Sequence, residues 1–218
     1  MSGEGSFTAS DAIDLLAWKH AIFALYAGVR DAPNPERAWR HWRATRDLMY
    51  RSDAQSPIPA GRRAGFDGCL FYDYDPSWRT VALIEDADSA PLQIPVSTGQ
   101  AFAFTRIGVA RFVLHDVEHA LELTWNDGYG GGIFLAFTDE TSGVSTYGGG
   151  RYLIDTVKGA DLGFDRESGT AVLDFNFAFN PSCSYDARWA CPLAPSANRL
   201  AIPVTAGEQH LRSPLLAA

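Results

Sequence analysis

Residues 129–153 read YGGGIFLAFTDETSGVSTYGGGRYL, so a run of three glycines precedes a short apolar segment twice in succession. The two segments, IFLAF and RYLID, are too short for helices and rich in residues that favour strands. The turn-forming cluster DETSG between them predicts a single β-hairpin with these segments as its arms. Folding that hairpin near Thr141 predicts that Gly132 lies opposite Gly150.

The glycine runs have two interpretations that the sequence leaves open. If they share one bare patch of sheet, a ligand, a second backbone or a large aromatic ring can approach the main chain closely. If they allow bulges, they bend the sheet into a barrel corner and hold nothing. A phosphate-binding loop is disfavoured because strands follow both runs, whereas phosphate binding uses the N-terminus of a helix.

Short β-prone runs continue through most of the chain on both sides of this hairpin. No helical crossover separates them, so we predict a mainly β protein with an antiparallel sheet. Closure into a β-barrel, or a barrel-like sandwich, hides the edges of so many short strands. The predicted strands are 68–74, 79–85, 92–96, 101–107, 110–115, 120–125, 132–138, 151–156, 170–177 and 199–204.

Two helices are predicted before the strands. Ser10 or Asp11 caps a helix through AIDLLAWKHAIFALYAGV, and Asn34 with Pro35 opens a second through ERAWRHWRATRDLMY. The arginines of the second helix, including Arg46, are interpreted as a solvated surface. The predicted domains are a flexible N-terminus (1–9), an α-helical hairpin packed on the barrel (10–51), the barrel (60–208) and a tail (209–218).

Charge and hydropathy exclude several classes of partner. With 18 basic and 26 acidic residues the formal net charge is −8, which predicts neither nucleic-acid nor membrane binding. The N-terminus is acidic, and Lys19 and His20 interrupt its apolar stretch, so we expect no signal peptide and no membrane span. We therefore expect a soluble, cytoplasmic protein, with a homodimer through the tryptophan-bearing helices as one arrangement.

Neither the histidines nor the cysteines predict a metal site. Residues 115–119 read HDVEH, which matches a zinc-binding pattern that requires a helix. The flanking residues alternate as strands, and 116–118 suit the tip of a hairpin, so we predict no metal. Cys183 and Cys191 are expected to be packed thiols, or a local disulfide where redox conditions permit. The cofactor is left unknown.

Long segments of the chain resemble a known family. NDGYGGGIFLAF, TSGVSTYGGGRYLIDTVKGADLG, DFNFAFNPSCSYDARWACPLAPSANRL and, upstream, AQSPIPAGRRAGFDGCLFYDYDPSWR are similar to the bacterial and archaeal domain of unknown function DUF1684. The resemblance spans residues 39–208. It implies a shared fold and marks these motifs as characteristic, and it assigns no activity, cofactor or partner.

Polar and aromatic residues in these motifs predict a binding site beside the glycines. A mostly apolar pocket with a few convergent polar groups is typical of small-molecule sites, and its arginines favour a carboxylate or phosphate group. We therefore predict that the protein binds a small, anionic molecule in a cavity floored by the two YGGG segments. The predicted ligand-binding residues are Tyr129, Gly130, Gly131, Gly132, Tyr147, Gly148, Gly149, Gly150, Arg151, Asn176, Asn180, Tyr185, Arg188, Asn198 and Arg199.

Two alternatives remain open from the sequence. An enzyme in the same cavity would use Asp155 or Asp174 for acid/base chemistry, with Tyr147 or Lys158 as the partner. A structural or oligomerising module would use the helices to bury a partner surface. Each polar residue also has a structural interpretation, such as Asp155 pairing with Lys158.

Overall fold

The computed structural model describes residues 8–210 of the 218-residue chain. Residues 1–7 of the predicted flexible N-terminus and 211–218 of the predicted tail lie outside the described residues. Two helices come first and the strands follow, in the predicted order. The elements are α1 (Ala9–Arg30), α2 (Pro35–Ser52), β1 (Arg79–Pro95), β2 (Ala101–Leu114), β3 (Val117–Asn126), β4 (Ile133–Phe137), β5 (Arg151–Asp155), β6 (Phe164–Asp165) and β7 (Thr170–Asp174).

Both helices begin at side-chain caps. The cap of α1 is Thr8, not the predicted Ser10 or Asp11: the Thr8 hydroxyl accepts a hydrogen bond from the Asp11 amide, and the Thr8 amide donates to the Asp11 carboxylate in a capping box. Asn34 accepts from the Arg37 amide, and Pro35 fills the first turn of α2. Local sequence therefore determines where the helical hairpin starts.

The seven strands form one antiparallel sheet in the order β5-β4-β3-β2-β1-β7-β6. The mainly β, antiparallel prediction is confirmed. The sheet itself is not closed. The chain after β7 meets β5 through a bridge between Tyr152 and Phe179, with hydrogen bonds of 2.9 and 3.1 Å between their backbones. The architecture is accordingly a barrel-like sandwich.

The strands differ from the prediction in several places. β6 was not predicted, and β7 ends at Asp174 rather than at residue 177, since Phe175–Phe177 is a 3-10 helix. β1 and β2 each join two predicted strands, because register shifts at Asp86/Ala90 and Arg106/Gly108 let the strands bend without breaking. Residues 68–74 and 199–204 were predicted as strands, and that prediction is wrong: they form only isolated bridges, Phe71 with Glu208 and Thr138 with Arg199. Pro203 lacks the amide that a strand ladder requires.

The core consists of two clusters of buried apolar side chains. Successive residues of β4 belong to one cluster and then to the other, so the strand lies between them. Phe134 and Ala136 belong to the cluster that includes helix residues such as Trp42. Leu135 and Phe137 belong to the second cluster, which lies among the strands and the C-terminal segment. β4 is apolar throughout because both of its faces are buried.

Helix α1 is apolar and largely exposed. Among the described helices, it is long and apolar enough to cross a membrane by length and composition: an 18-residue window has a mean hydropathy of 1.3, and 11% of that window is buried. Soluble core helices pass the same test. The prediction that this protein does not bind membranes therefore stays a prediction.

The β4–β5 hairpin is confirmed, but its predicted register is wrong. Phe137 pairs with Arg151, and Phe134 pairs with Asp155. Because each glycine run precedes its own strand, antiparallel pairing places the two runs at opposite ends of the hairpin. Gly132 consequently lies beside Val157, where a Cβ would come 2.6 Å from the valine Cγ2. The two YGGG segments share no bare patch.

Each glycine run is instead packed against the chain itself. A Cβ on Gly131 would lie 2.2 Å from the Trp125 ring. On Gly150, which has φ +92°, a Cβ would lie 2.7 Å from the Phe137 carbonyl oxygen and 2.6 Å from the Ala194 Cβ. The glycines thus serve turns and let an aromatic ring and a backbone segment of the protein itself approach closely, although not over one shared patch.

Gly130 and Gly150 offer a matched test, because both have φ +92° but only Gly150 is crowded. We expect Gly130→Ala to reduce the free energy of unfolding by about 1–2 kcal/mol through backbone strain alone. Gly150→Ala adds overpacking and should cost about 3 kcal/mol or more. Urea denaturation measures both values. Equal stability of the two variants would contradict this account of the glycines.

Candidate functional site

A cavity of about 240 Å³ lies between the helices and the strand-rich part of the chain; we call it the helix–sheet cavity. α1 and α2 supply three of its aromatic residues, and the segment after β7 supplies two. Trp18 and Tyr50 stack with ring centroids 6.1 Å apart. The aromatic walls are Trp18, Tyr26, Tyr50, Phe179 and Trp189.

Three cations line the same cavity. They are Lys19, Arg46 and Lys158, and no carboxylate is found among the described residues that line it. The sequence contains only two lysines, and both are here. The nearest carboxylates, those of Glu208 and Asp155, are not among the lining residues; each pairs with one of these cations, at 3.3 Å from Arg46 and 3.0 Å from Lys158.

Arg46 carries a buried, permanent positive charge. Its guanidinium donates to the Tyr50 hydroxyl at 2.8 Å and lies 4.5 Å from the Trp42 ring centroid. Burial opposes the charge, but Tyr50 and Glu208 hold the pKa of Arg46 well above its ordinary value. Burial also raises the pKa of Glu208, against the opposing effects of Arg46 and the Asn180 amide.

Arg46 is the main residue that sequence reasoning placed wrongly. The prediction of a solvated surface fails for Arg46, which is 3% exposed. A signal was present: Trp39, Trp42, Arg46 and Met49 recur at intervals of three and four residues and therefore share one helix face. Lys19 and Trp189 were also missed as cavity residues, because their relation to α2 depends on tertiary packing.

A second cavity of about 190 Å³ includes Cys69, Asn180, Tyr185, Glu208 and His210 in its lining; we call it the loop cavity. Asn180 lines both cavities. Its side-chain amide donates to the Gln209 carbonyl at 3.0 Å, whereas its Oδ1 is buried without a hydrogen-bond partner among the described residues. This acceptor is one of the few polar atoms in the wall that nothing satisfies.

Of the four predicted catalytic residues, only Asp155 and Lys158 contact one another, as an ion pair at 3.0 Å. Lys158 lines the helix–sheet cavity, and Asp155 pairs with it from behind. Asp174 is fully buried beside Arg79 and the Asn176 amide, and its burial raises its pKa. Tyr147 contacts Cys183 at 3.6 Å, next to the lining residue Cys191. Asp155, Asp174 and Tyr147 line neither of the two cavities.

Arg151, a predicted ligand residue, ties β5 to the C-terminal segment. It is fully buried, pairs with Asp139 at 2.8 Å, and donates to the carbonyl groups of Val204 and Ala206. Burial lowers the pKa of Arg151, while Asp139 opposes that change. The guanidinium therefore acts within the fold and faces neither cavity.

Two predicted asparagines also make structural hydrogen bonds. Asn176 exchanges two with the Asp75 backbone, at 3.0 and 2.8 Å. Asn198 accepts from the Glu122 amide at 2.7 Å and donates to the carbonyl groups of Glu122 and Ala136 at 3.0 Å. Asn176 therefore ties the segment before β1 to the segment after β7, and Asn198 ties its loop to β3 and β4.

The remaining predicted residues are scattered. Tyr129 is fully exposed, and Arg199 is exposed beside its bridge to Thr138. Arg188 pairs with Asp186 at 3.3 Å. Tyr185 lines the loop cavity. Of the predicted binding set, only Asn180 reaches the helix–sheet cavity.

Cys183 and Cys191 lie together at the rim of this site. The Cys183 amide donates to the Cys191 Sγ at 3.3 Å, and neither residue forms a disulfide. The hydrogen bond from the Cys191 thiol lowers the pKa of Cys183 to about 6, with a smaller contribution from Tyr147. The same interaction raises the pKa of Cys191, which lines the helix–sheet cavity.

HDVEH lies at the predicted hairpin between β2 and β3, but the turn is His115–Asp116 rather than 116–118, because Val117 and Glu118 already pair in β3. His115 and Asp116 have φ values of 50° and 63°, typical of a tight turn. His115 packs on Trp78, and His119 packs on Phe112. Within residues 8–210, no group of three or more His, Cys, Asp or Glu residues is arranged to hold a metal ion.

The fold and the cavity together define a class: a barrel-like antiparallel sheet with an N-terminal helical hairpin that encloses an aromatic, cationic cavity. The chain belongs to the family described as Protein of unknown function (DUF1684), whose sequence model matches residues 64–209. The family resemblance is thereby confirmed. The matched segment contains Lys158, Asn180 and both cysteines of the pair, whereas α1 and α2 precede it.

A solved structure supports this assignment. The chain is similar to the solution NMR structure of an uncharacterised protein from Haloarcula marismortui, with 29% sequence identity and a TM-score of 0.59. The similarity covers 80% of this chain and 93% of the archaeal one. No curated protein matches this sequence. The comparisons therefore establish the fold and the family.

The Asp139–Arg151 pair predicts a large loss of stability on substitution. Asp139→Ala leaves the Arg151 guanidinium buried without its counter-ion, and we expect a cost of about 3–5 kcal/mol. Glu85→Ala removes an exposed pair with Arg111 and should cost less than about 1 kcal/mol. Denaturant titrations give both values. An Asp139→Ala variant as stable as Glu85→Ala would show that Arg151 is not a structural clamp.

Proposed function

We propose that this protein binds a small anionic molecule with a planar, apolar body in the helix–sheet cavity. The observation that carries the proposal is the composition of the lining. Both lysines of the sequence and the buried Arg46 are gathered around aromatic walls without a carboxylate among the described lining residues. Charge-assisted hydrogen bonds from such cations favour a carboxylate or phosphate group.

The charges behind the cavity wall limit the ligand's own charge. Glu208 and Asp155 neutralise much of the charge of Arg46 and Lys158, and Lys19 adds a further positive charge at the exposed end. A single carboxylate matches this balance better than a polyphosphate does. The volume of about 240 Å³ also lies below the roughly 300–1,000 Å³ of drug-sized sites, which favours a small metabolite.

The proposed site differs from the predicted one. It shares Asn180 with the predicted ligand-binding set and Lys158 with the catalytic candidates, and it needs neither glycine run. Within the part of the chain that the structure describes, Asn180 Oδ1 and Trp189 Nε1 have no hydrogen-bond partner, so they provide an acceptor and a donor in the wall residues. A cytoplasmic location remains part of the proposal, since small organic acids are abundant there.

Matched small probes test the charge requirement. We expect benzoate and cinnamate to raise the melting temperature of the protein, and the neutral benzamide and cationic benzylamine to raise it much less. At ten times Kd, a ligand adds about 1.4 kcal/mol of stability, or roughly 3–6 °C for a chain of this size. Benzamide matching benzoate would contradict the anion proposal.

The two lysines allow a sharper test by substitution. Lys158→Ala and Lys19→Ala should each weaken benzoate binding severalfold in calorimetry, because each removes one cation from the lining. Arg30→Ala is the matched control: Arg30 lies on the same helix as Lys19 and pairs with Asp161 outside the cavity. Equal affinity in all three variants would place the ligand elsewhere.

The enzyme alternative has less support. Asp155 is paired with Lys158, and Asp174 is held by Arg79 and Asn176, so neither carboxylate is free to act as a base. Binding without catalysis is therefore the function that the geometry favours.

A homodimer through the N-terminal helices is a second proposal. The supporting observation is the exposure of three large apolar side chains on α1, with Ile13 65%, Leu16 50% and Phe23 45% exposed. Light scattering at micromolar concentration should then give twice the monomer mass. A monomer mass at all concentrations would contradict this proposal.

A further inference from the structure

Two cysteines on the loop that follows β7 face one another. The Cys183 amide donates to the Cys191 Sγ at 3.3 Å, which holds the Cys191 sulfur against the Cys183 backbone. Cys183 is half-buried, so small reagents reach it, whereas Cys191 is 4% exposed. Such a pair has one accessible sulfur and one protected sulfur beside it.

Other groups surround the pair from several elements. The Tyr147 hydroxyl lies 3.6 Å from the Cys183 Sγ, and its ring packs on His210. Lys158 and Tyr152 are the further titratable groups that interact with both sulfurs. The Ser97 hydroxyl accepts from the Cys191 amide at 3.2 Å and so holds that end of the loop.

The third cysteine provides an internal contrast. Cys69 is buried, and burial together with the nearby Glu208 raises its pKa well above the ordinary value. Its sulfur contacts the Tyr185 hydroxyl at 3.4 Å. It lacks a second thiol, so it is expected to stay unreactive.

We infer that Cys183 and Cys191 form a peroxide-reactive dithiol site, with Cys183 as the attacking sulfur and Cys191 as the resolving one. The inference rests on the contact between the two cysteines, on their unequal exposure and on the hydroxyl of Tyr147 beside Cys183. It is independent of the ligand proposed for the helix–sheet cavity.

The reaction proceeds in two balanced steps. The Cys183 thiolate attacks the outer oxygen of a hydroperoxide, ROOH; an S–O bond forms, the O–O bond breaks, and the alkoxide leaves and takes a proton from water. The product is Cys183 sulfenic acid. The Cys191 sulfur then attacks it, its thiol proton leaves with the hydroxyl as water, and a Cys183–Cys191 disulfide remains. The sulfurs are oxidised by two electrons and the peroxide is reduced.

Peptide mass mapping of the reduced, full-length protein tests the site. After one equivalent of hydrogen peroxide, we expect a Cys183–Cys191 disulfide with the loss of two hydrogen atoms, and an unmodified Cys69. Cys191→Ser should stop at a sulfenic acid that dimedone traps on Cys183, and Cys183→Ser should not react. Cys69→Ser is the matched control and should behave as the original chain.

Alkylation of the unsubstituted protein adds a measurement that needs no variant. The thiolate is the nucleophile, and its population falls as pH drops through the pKa. Because the pKa of Cys183 is lowered to about 6, its iodoacetamide rate should reach half of its plateau near that pH, rather than near the pH of about 8.5 for a free thiol. At pH 5.5 it should react roughly tenfold faster than free cysteine.

The Tyr147→Phe variant tests whether the Tyr147 hydroxyl contributes to the reactivity of Cys183, or whether the solvent exposure of Cys183 alone accounts for it. It removes one hydrogen bond to the thiolate, so the midpoint of the alkylation profile should move to higher pH while the plateau at high pH is kept. A midpoint above pH 8 in the unsubstituted protein, or peroxide oxidation at Cys69 in place of the pair, would overturn the inference.

Discussion

Glu208 is the buried charge on which the site depends, because three other parts of the chain meet at its carboxylate and backbone. Its carboxylate accepts from Arg46 of α2 and from the Asn180 amide, and its backbone bridges to Phe71. A carboxylate that is 1% exposed must be paired and hydrogen bonded to be tolerated. Satisfying it fixes α2 against the loop after β7, and the helix–sheet cavity and the loop cavity lie on either side of this junction.

Local features of the fold were predictable from the sequence, and features that depend on distant contacts were not. The Asn34 cap of α2 and the turn between β2 and β3 each involve residues within a few positions in sequence, and the cap of α1 was missed by only two residues, since Thr8 takes the place predicted for Ser10 or Asp11. Arg46 shows the opposite case: its burial depends on a partner 162 residues away. The bulges of β1 and β2 were missed for a related reason, since only the neighbouring strand shows that the chain continues through them.

The glycine runs show how a hairpin can be predicted correctly while the binding site inferred from it is wrong. The hairpin was predicted from its two apolar arms, yet its antiparallel direction separates two motifs that both precede their strands. Trp125 fills the space over Gly131, and Ala194 fills the space over Gly150. The two YGGG segments are thus alike in sequence because each packs closely against other parts of the chain, although they lie at opposite ends of the β4–β5 hairpin. The polar residues beside the glycines, such as Arg151 and Asn198, share this role, because buried polar groups near tight turns must satisfy backbone carbonyls.

The two proposed sites depend on different parts of the chain. Cys183, Cys191 and Tyr147 all lie within residues 64–209, the segment that matches the family. The helix–sheet cavity instead combines that segment with Trp18, Lys19 and Arg46 from helices that precede it. A change in the helices would therefore alter the ligand without altering the thiol chemistry. Cys191 is the exception, because it belongs to the dithiol pair and also lines the cavity, so a disulfide would form at the cavity wall itself.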